Sequence, residues 1–64
     1  PMLSRREREI LELVSKGMST DDVAEELGLS AHTVRTHVKN AMRKLEATTR
    51  AHAVAIALRE LSIR

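Results

Sequence analysis

The sequence predicts an all-α fold, a compact bundle of four short helices, and three observations lead to it. Apolar residues make up 42% of the 64 residues, yet Phe, Tyr and Trp are absent, so the core must be built from Leu, Val, Ile, Ala and Met. Those residues recur at three- and four-residue spacing, which places them on one side of a helix. Ser, Thr and Gly fall between the periodic stretches where helix caps belong. A chain this short is one domain, near the lower limit of what folds without a disulfide or metal.

Pro1 to Leu3 reads as the end of a linker, and Pro1 in place of an initiator Met suggests an excised domain or a tag remnant. Ser4-Arg5-Arg6-Glu7 is a capping box, in which the Ser4 hydroxyl accepts from the Glu7 N–H while the Glu7 carboxylate reaches back. Ile10, Leu11 and Val14 follow at helical spacing with Leu13 on the flank, and Gly17 sits where a left-handed terminator belongs. The first helix is therefore placed at about 5–16. Ser19 caps the second, with Asp21 and Asp22 suited to a helix N-terminus. Val23, Ala24 and Leu27 form its short stripe before Gly28, which limits it to about 20–27. Gly28-Leu29-Ser30 then supplies a stop, a buried plug and a new cap. The third helix is placed at about 31–45. Thr48 or Thr49 caps the fourth, at about 49–61, with Val54, Ala57, Leu58 and Leu61 facing inward. Ala51, Ala55, Ile56 and Ile63 put apolar or small groups on its other sides, and a helix apolar nearly all round usually has something further to bury against.

The third helix is the centre of the chain. At about 100° per residue, Ala31, Val34, Val38, Ala41, Met42 and Leu45 share one arc, while His32, Arg35, Thr36, Lys39 and Arg43 share another. Residues 30–45 hold Arg35, Lys39, Arg43 and Lys44 with no acid among them, whereas residues 20–27 hold Asp21, Asp22, Glu25 and Glu26 with no base. The overall charge of +2 conceals this segregation, which is the footprint of a protein that binds phosphate. A short helix, a turn containing Gly and a longer basic helix form the helix-turn-helix pattern, and a helix of this kind suits a major groove. The bland alternative is an ordinary solvated face.

Several classes are excluded. The absence of Cys removes disulfides and thiolate metal sites and fits a reducing, cytoplasmic setting. Without aromatic rings to stack on bases, single-stranded nucleic-acid binding is disfavoured. The longest apolar run, Ala53 to Leu58, is far too short to span a bilayer, and neither a signal peptide nor a membrane partner is expected. No Gly-rich phosphate loop and no convergent acid and base support an enzyme, and no cofactor is expected. His32, His37 and His52 do not make a metal site: the first two lie roughly 140° apart on a helix and lack a carboxylate at a ligand spacing. His37 reads as a packed or hydrogen-bonded histidine. Met2, Met18 and Met42 are gap fillers, and Asp21 and Asp22 are capping acids, because a phosphoacceptor aspartate needs a whole receiver domain.

From Leu3 to about Leu58 the chain resembles the LuxR-type (FixJ/NarL/GerE-type) helix-turn-helix family. The resemblance rests on Leu3-Ser4-Arg5-Arg6-Glu7-Arg8-Glu9-Ile10-Leu11, Gly17-Met18-Ser19, Val23-Ala24, Leu27 and Leu29-Ser30. It continues through Thr33-Val34-Arg35-Thr36-His37-Val38-Lys39-Asn40, Arg43-Lys44-Leu45, Arg50 and Ala53-Val54. It implies a four-helix transcriptional regulator domain that binds double-stranded DNA as a homodimer, with the third helix in the major groove and the fourth at the dimer contact. An N-terminal sensor domain, such as the receiver of a two-component response regulator, is implied in the full-length protein. Carried over by position, Arg35, Thr36 and Lys39 correspond to base-edge and nearby phosphate contacts, and Ser30, Thr33, Asn40 and Arg43 to backbone contacts. The family habit and a small-residue face together point to His52, Ala55, Ile56 and Arg59 as the dimer surface. Two departures stand out: Glu46-Ala47 replaces the Gly-Val frequent after the third helix, and Thr20-Asp21-Asp22 replaces Asn-Lys-Glu.

The residues themselves leave alternatives. Arg35 and Lys39 can reach guanine O6 and N7 or can touch phosphate alone; Thr36 can offer its methyl to thymine or be a surface threonine. A sigma-factor-like promoter-reading helix-turn-helix is the nearest competing function, and a helical protein-interaction module with a basic face is another.

Overall fold

The computed structural model describes residues 3–60. They form α1 (Arg5–Ser15), α2 (Thr20–Leu27), α3 (Ala31–Leu45) and α4 (Arg50–Glu60), an all-α bundle measuring 27 × 20 × 19 Å. The expected boundaries hold to within a residue wherever the residues are described. The expected helix end at 61 and the roles assigned to Met2, Leu61 and Ile63 lie outside the described residues.

The caps explain the boundaries. The Glu7 N–H donates to Ser4 Oγ (3.1 Å) and the Ser4 N–H donates to Glu7 Oε1 (2.9 Å), completing the capping box. Ser19 Oγ accepts from the Asp22 N–H and Ser30 Oγ from the Thr33 N–H. Thr49 caps α4, its Oγ1 accepting from the His52 N–H at 3.0 Å.

Three helices end alike. The N–H groups of Met18, Leu29 and Ala47 reach back to the carbonyls of Leu13, Ala24 and Met42, each across a residue with positive φ, in the Schellman arrangement. Gly17 and Gly28 fill that position in the first two, but after α3 Glu46 adopts it, with φ 54°. The missing glycine therefore does not change the cap; a side-chain-bearing residue is held in the left-handed region instead.

Two clusters make the core. Ile10, Val23, Ala24, Val34 and Val38 join α1, α2 and α3, with Leu13, Val14, Met18, Leu27 and Leu29 around them. Leu3, Leu11, Ala41, Ala53 and Ala57 join α1, α3 and α4, and Met42 packs against both clusters. Neighbouring Ile10 and Leu11 thus serve different clusters, which makes α1 the wedge between the helix-turn-helix and α4.

Three expectations need correcting. Leu3 is not a linker end, because it is buried against Leu11, Ala53 and Ala57. Leu29 is a half-buried edge to its cluster, not a sealed plug. Leu58 does not face inward: it is 46% exposed, and among the described residues of α4 the fully buried ones are Ala53 and Ala57. Alanines at the contact let α4 approach closely, which turns the large side chain outward.

Candidate nucleic-acid interface

The turn of Gly28, Leu29 and Ser30 presents α3 with its apolar arc inward. Val34, Val38 and Ala41 are buried, while His32, Arg35, Thr36, Lys39 and Arg43 are exposed. The basic arc read from periodicity is therefore a solvent-facing surface.

That surface has relief. One cleft, of about 390 Å³, is lined by Thr20, His32, Arg35, Thr36, Lys39 and Arg50, with Val38 at its floor. Another, of about 580 Å³, is lined by Thr36, Lys39, Asn40 and Arg43 together with Met42 and Ala47. Thr36 and Lys39 border both clefts, so they form the crest between them. Among the described residues no carboxylate lines either cleft; Asp21 and Asp22 are exposed outside both.

The polar groups are partly committed. The Thr36 hydroxyl donates to the His32 carbonyl at 3.1 Å, so its proton is committed while its oxygen can still accept and its methyl group is free. Ser30 Oγ accepts from the Thr33 N–H at 3.0 Å and donates to Thr33 Oγ1 at 2.9 Å. Ser30 is thereby occupied as a cap, and the Thr33 hydroxyl keeps its proton for an outside acceptor. Arg43 donates to Asn40 Oδ1, which aligns these two side chains along one cleft wall.

Not every positive charge on α3 faces this surface. Lys44 turns the other way, its Nζ donating to Glu7 Oε1 at 2.9 Å. The excess of four charges counted in the sequence is three at the surface, and Arg50 of α4 restores the fourth. Arg50 Nη1 donates to Thr20 Oγ1 at 2.6 Å and Nη2 to the Met18 carbonyl at 3.3 Å, tying α4 to the start of α2. Sequence reasoning counted Lys44 in the basic footprint and named Arg50 and Thr20 only in comparison with the family, giving neither a contact. A cation in the first turn of a helix opposes the helix dipole, and that was the available sign that Arg50 serves something other than its own helix.

On α4, Ala55 and Arg59 are exposed and Ile56 is half-buried. The His52 ring is drawn back to the helix start, where its Nδ1 accepts from the Thr48 N–H at 3.3 Å. The outward apolar strip is formed by Ala51, Ala55 and Leu58, flanked by His52 and Arg59.

A short helix, a glycine-bearing turn and a longer helix with an acid-free crest, braced by α1 and α4, define a helix-turn-helix DNA-binding domain. The chain belongs to the bacterial regulatory proteins of the luxR family, whose pattern matches residues 1–57, and this is a family of transcription regulators rather than enzymes. It is similar to the spore germination protein GerE of Bacillus subtilis, 46% identical over 59 residues that cover 92% of this chain and 80% of that protein. It is 45% identical over 60 residues to the probable transcriptional regulatory protein NarL of Mycobacterium tuberculosis and 45% identical over 53 residues to the response regulator protein VraR of Staphylococcus aureus. The chain spans only 28% and 25% of those two longer relatives. A solved structure of the transcription factor GerE superimposes with a TM-score of 0.85 at 40% identity, covering 89% of this chain and 85% of that one. Among the described residues no helix is long and apolar enough to cross a membrane.

Proposed function

We propose that this chain reads double-stranded DNA in a sequence-specific manner as the output domain of a bacterial transcriptional regulator, inserting α3 into the major groove. The observation that carries the reading is the crest of Thr36 and Lys39 between two acid-free clefts. Lys39 and Arg35 are the hydrogen-bond donors for guanine O6 and N7, and Thr36 offers a methyl contact to thymine. Thr33, Asn40 and Arg43 bind backbone phosphate, with Ser30 acting through the cap that orients Thr33.

The working unit is a homodimer. The longest dimension of one domain is 27 Å, shorter than the ~34 Å turn that separates half-sites, so one copy occupies one groove. The strip of Ala51, Ala55 and Leu58 permits close helix approach and supplies the apolar contact, with His52 and Arg59 at its rim and Ile56 at its edge. The likeness to longer regulators, one of them a response regulator, supports an N-terminal sensor or receiver domain in the full-length protein and a cytoplasmic site of action.

Selection from random duplexes, followed by titration of Lys39→Ala and Arg43→Ala against the selected site, tests the assignment. Lys39→Ala is expected to relax preference at one base position, costing ~1–3 kcal/mol of discrimination, whereas Arg43→Ala weakens all sites alike and lowers the salt slope by about 1. If no sequence emerges and both variants only flatten the salt dependence, the chain is a general polyanion binder.

A further inference from the structure

We propose that Arg50 of α4, with Thr20 of α2, forms a phosphate-binding site that grips the DNA backbone on the α2 side of the recognition crest. The inference rests on the duplex-DNA reading above and adds a contact from a helix that otherwise serves packing and self-association.

The geometry is specific. Arg50 and Thr20 face the acid-free cleft that also holds His32, Arg35 and Lys39. The guanidinium uses two of its five N–H donors, one on Thr20 Oγ1 (2.6 Å) and one on the Met18 carbonyl (3.3 Å). Both acceptors are neutral. Among the described residues no carboxylate pairs with Arg50, and three donors remain for another group. Thr20 Oγ1, by accepting from Arg50, is left with its hydroxyl proton to donate. The two side chains together present a fixed cation and a hydroxyl donor, and a tetrahedral anion with several acceptor oxygens matches that set.

Position supports the same ligand. The cleft borders Thr36 and Lys39, so when the crest enters a major groove the DNA strand on this side passes over Arg50. Arg43 and Asn40 occupy the corresponding place beyond the crest, which gives each flanking strand its own basic wall. Anchoring on Met18 and Thr20 also spares Arg50 some of the rotamer entropy a free surface arginine would lose on binding.

The test is the salt dependence of binding by the 64-residue chain to a 30-base-pair random duplex and to the selected site. Arg50→Gln is expected to lower the slope of log K against log salt by about 0.9, the value for one phosphate, equally on both duplexes. Arg50→Lys keeps the charge and should keep the slope. Arg8→Gln, on the outer face of α1 beside Arg5, Glu9 and Glu12, should leave the slope unchanged. An unaltered slope in Arg50→Gln overturns the proposal and leaves Arg50 a purely structural tie; an equal drop in Arg8→Gln overturns it too, because net charge would then be what is read. Should Arg50→Gln fail to fold, Thr20→Val carries the test: roughly 3- to 10-fold weaker binding on every duplex is expected, with Thr20→Ser close to the unaltered chain, and undiminished binding by Thr20→Val overturns the proposal. Loss of sequence preference in the unmodified chain would instead strike the parent reading, since the Arg50 slope can be measured on random duplex alone.

Discussion

Lys44 Nζ lies 2.9 Å from Glu7 Oε1 across 37 residues of sequence, joining the first turn of α1 to the last turn of α3. Glu7 is 5% exposed and is the one buried charged residue among those described. The same oxygen accepts from the Ser4 N–H, so the capping box and the tertiary tie converge on one atom. Removing Lys44 leaves that carboxylate with only its cap. Lys44→Ala is therefore expected to lower stability by about 1–2 kcal/mol, the lower part of the range for a charged hydrogen bond because Lys44 is partly exposed and water can replace it. Urea unfolding measures this. DNA affinity per folded molecule should hardly change, since Lys44 is turned away from the crest. The exposed pairs Arg6–Glu9 and Lys16–Glu12 should be worth far less.

The same contact sets an acid limit. Burial pushes the Glu7 carboxyl upward, but the Lys44 ammonium and the Ser4 N–H outweigh it and hold the group below its ordinary value of 4.5. A carboxyl lowered on folding contributes stability that is fully present above the unfolded value and is lost as pH falls through the folded one. Stability should be flat from neutrality down to about pH 5 and fall below about 4.5. In Glu7→Gln that acid-side loss should be smaller, which thermal melts across the pH range would reveal.

Glu46 is a site of stored strain. A residue with a Cβ at φ 54° costs about 1 kcal/mol or more, and a carboxylate at a helix C-terminus also opposes the dipole. Glu46→Gly relieves both at the cost of a more flexible unfolded chain. A net gain of roughly 0.5–1 kcal/mol is expected, seen as a Tm rise of about 2–8 °C for a domain of this size. A lower Tm would mean that the Glu46 side chain makes a compensating contact.

How much of this was legible beforehand follows the range of the interactions. Ser4, Ser19, Ser30, Gly17 and Gly28 announce their helices because caps act over three or four residues, and the sequence carries that spacing directly. The two faces of α3 were legible for the same reason. Glu7–Lys44 and Arg50–Thr20 were not, since their partners are brought together by the packing of α1 and α4 and by no local period. Leu58 was misplaced because α4 is apolar on several sides, so periodicity alone does not select Ala53 and Ala57 as the buried pair. Glu46 escaped because its left-handed cap is enforced by Met42, Arg43 and Ala47 and is not signalled by its own residue type.

Leu58 leads to the last prediction. Among the described residues it is the one large apolar side chain that is substantially exposed, at 46%, and it lies on one strip with Ala51 and Ala55. It is still more than half covered and lies in the last turn of α4, so Leu58→Asp should cost the monomer roughly 1–2 kcal/mol, and the comparison is made per folded molecule. In a dimer joined along that strip, the same substitution buries a carboxylate against its symmetry mate, which is strongly unfavourable. Affinity for a single half-site should then be unchanged, whereas the added affinity for a properly spaced pair of half-sites should vanish. Binding isotherms on duplexes with one and two half-sites make the comparison. Equal cooperativity in Leu58→Asp and the unaltered chain would remove α4 from the dimer contact while leaving the reading of α3 intact.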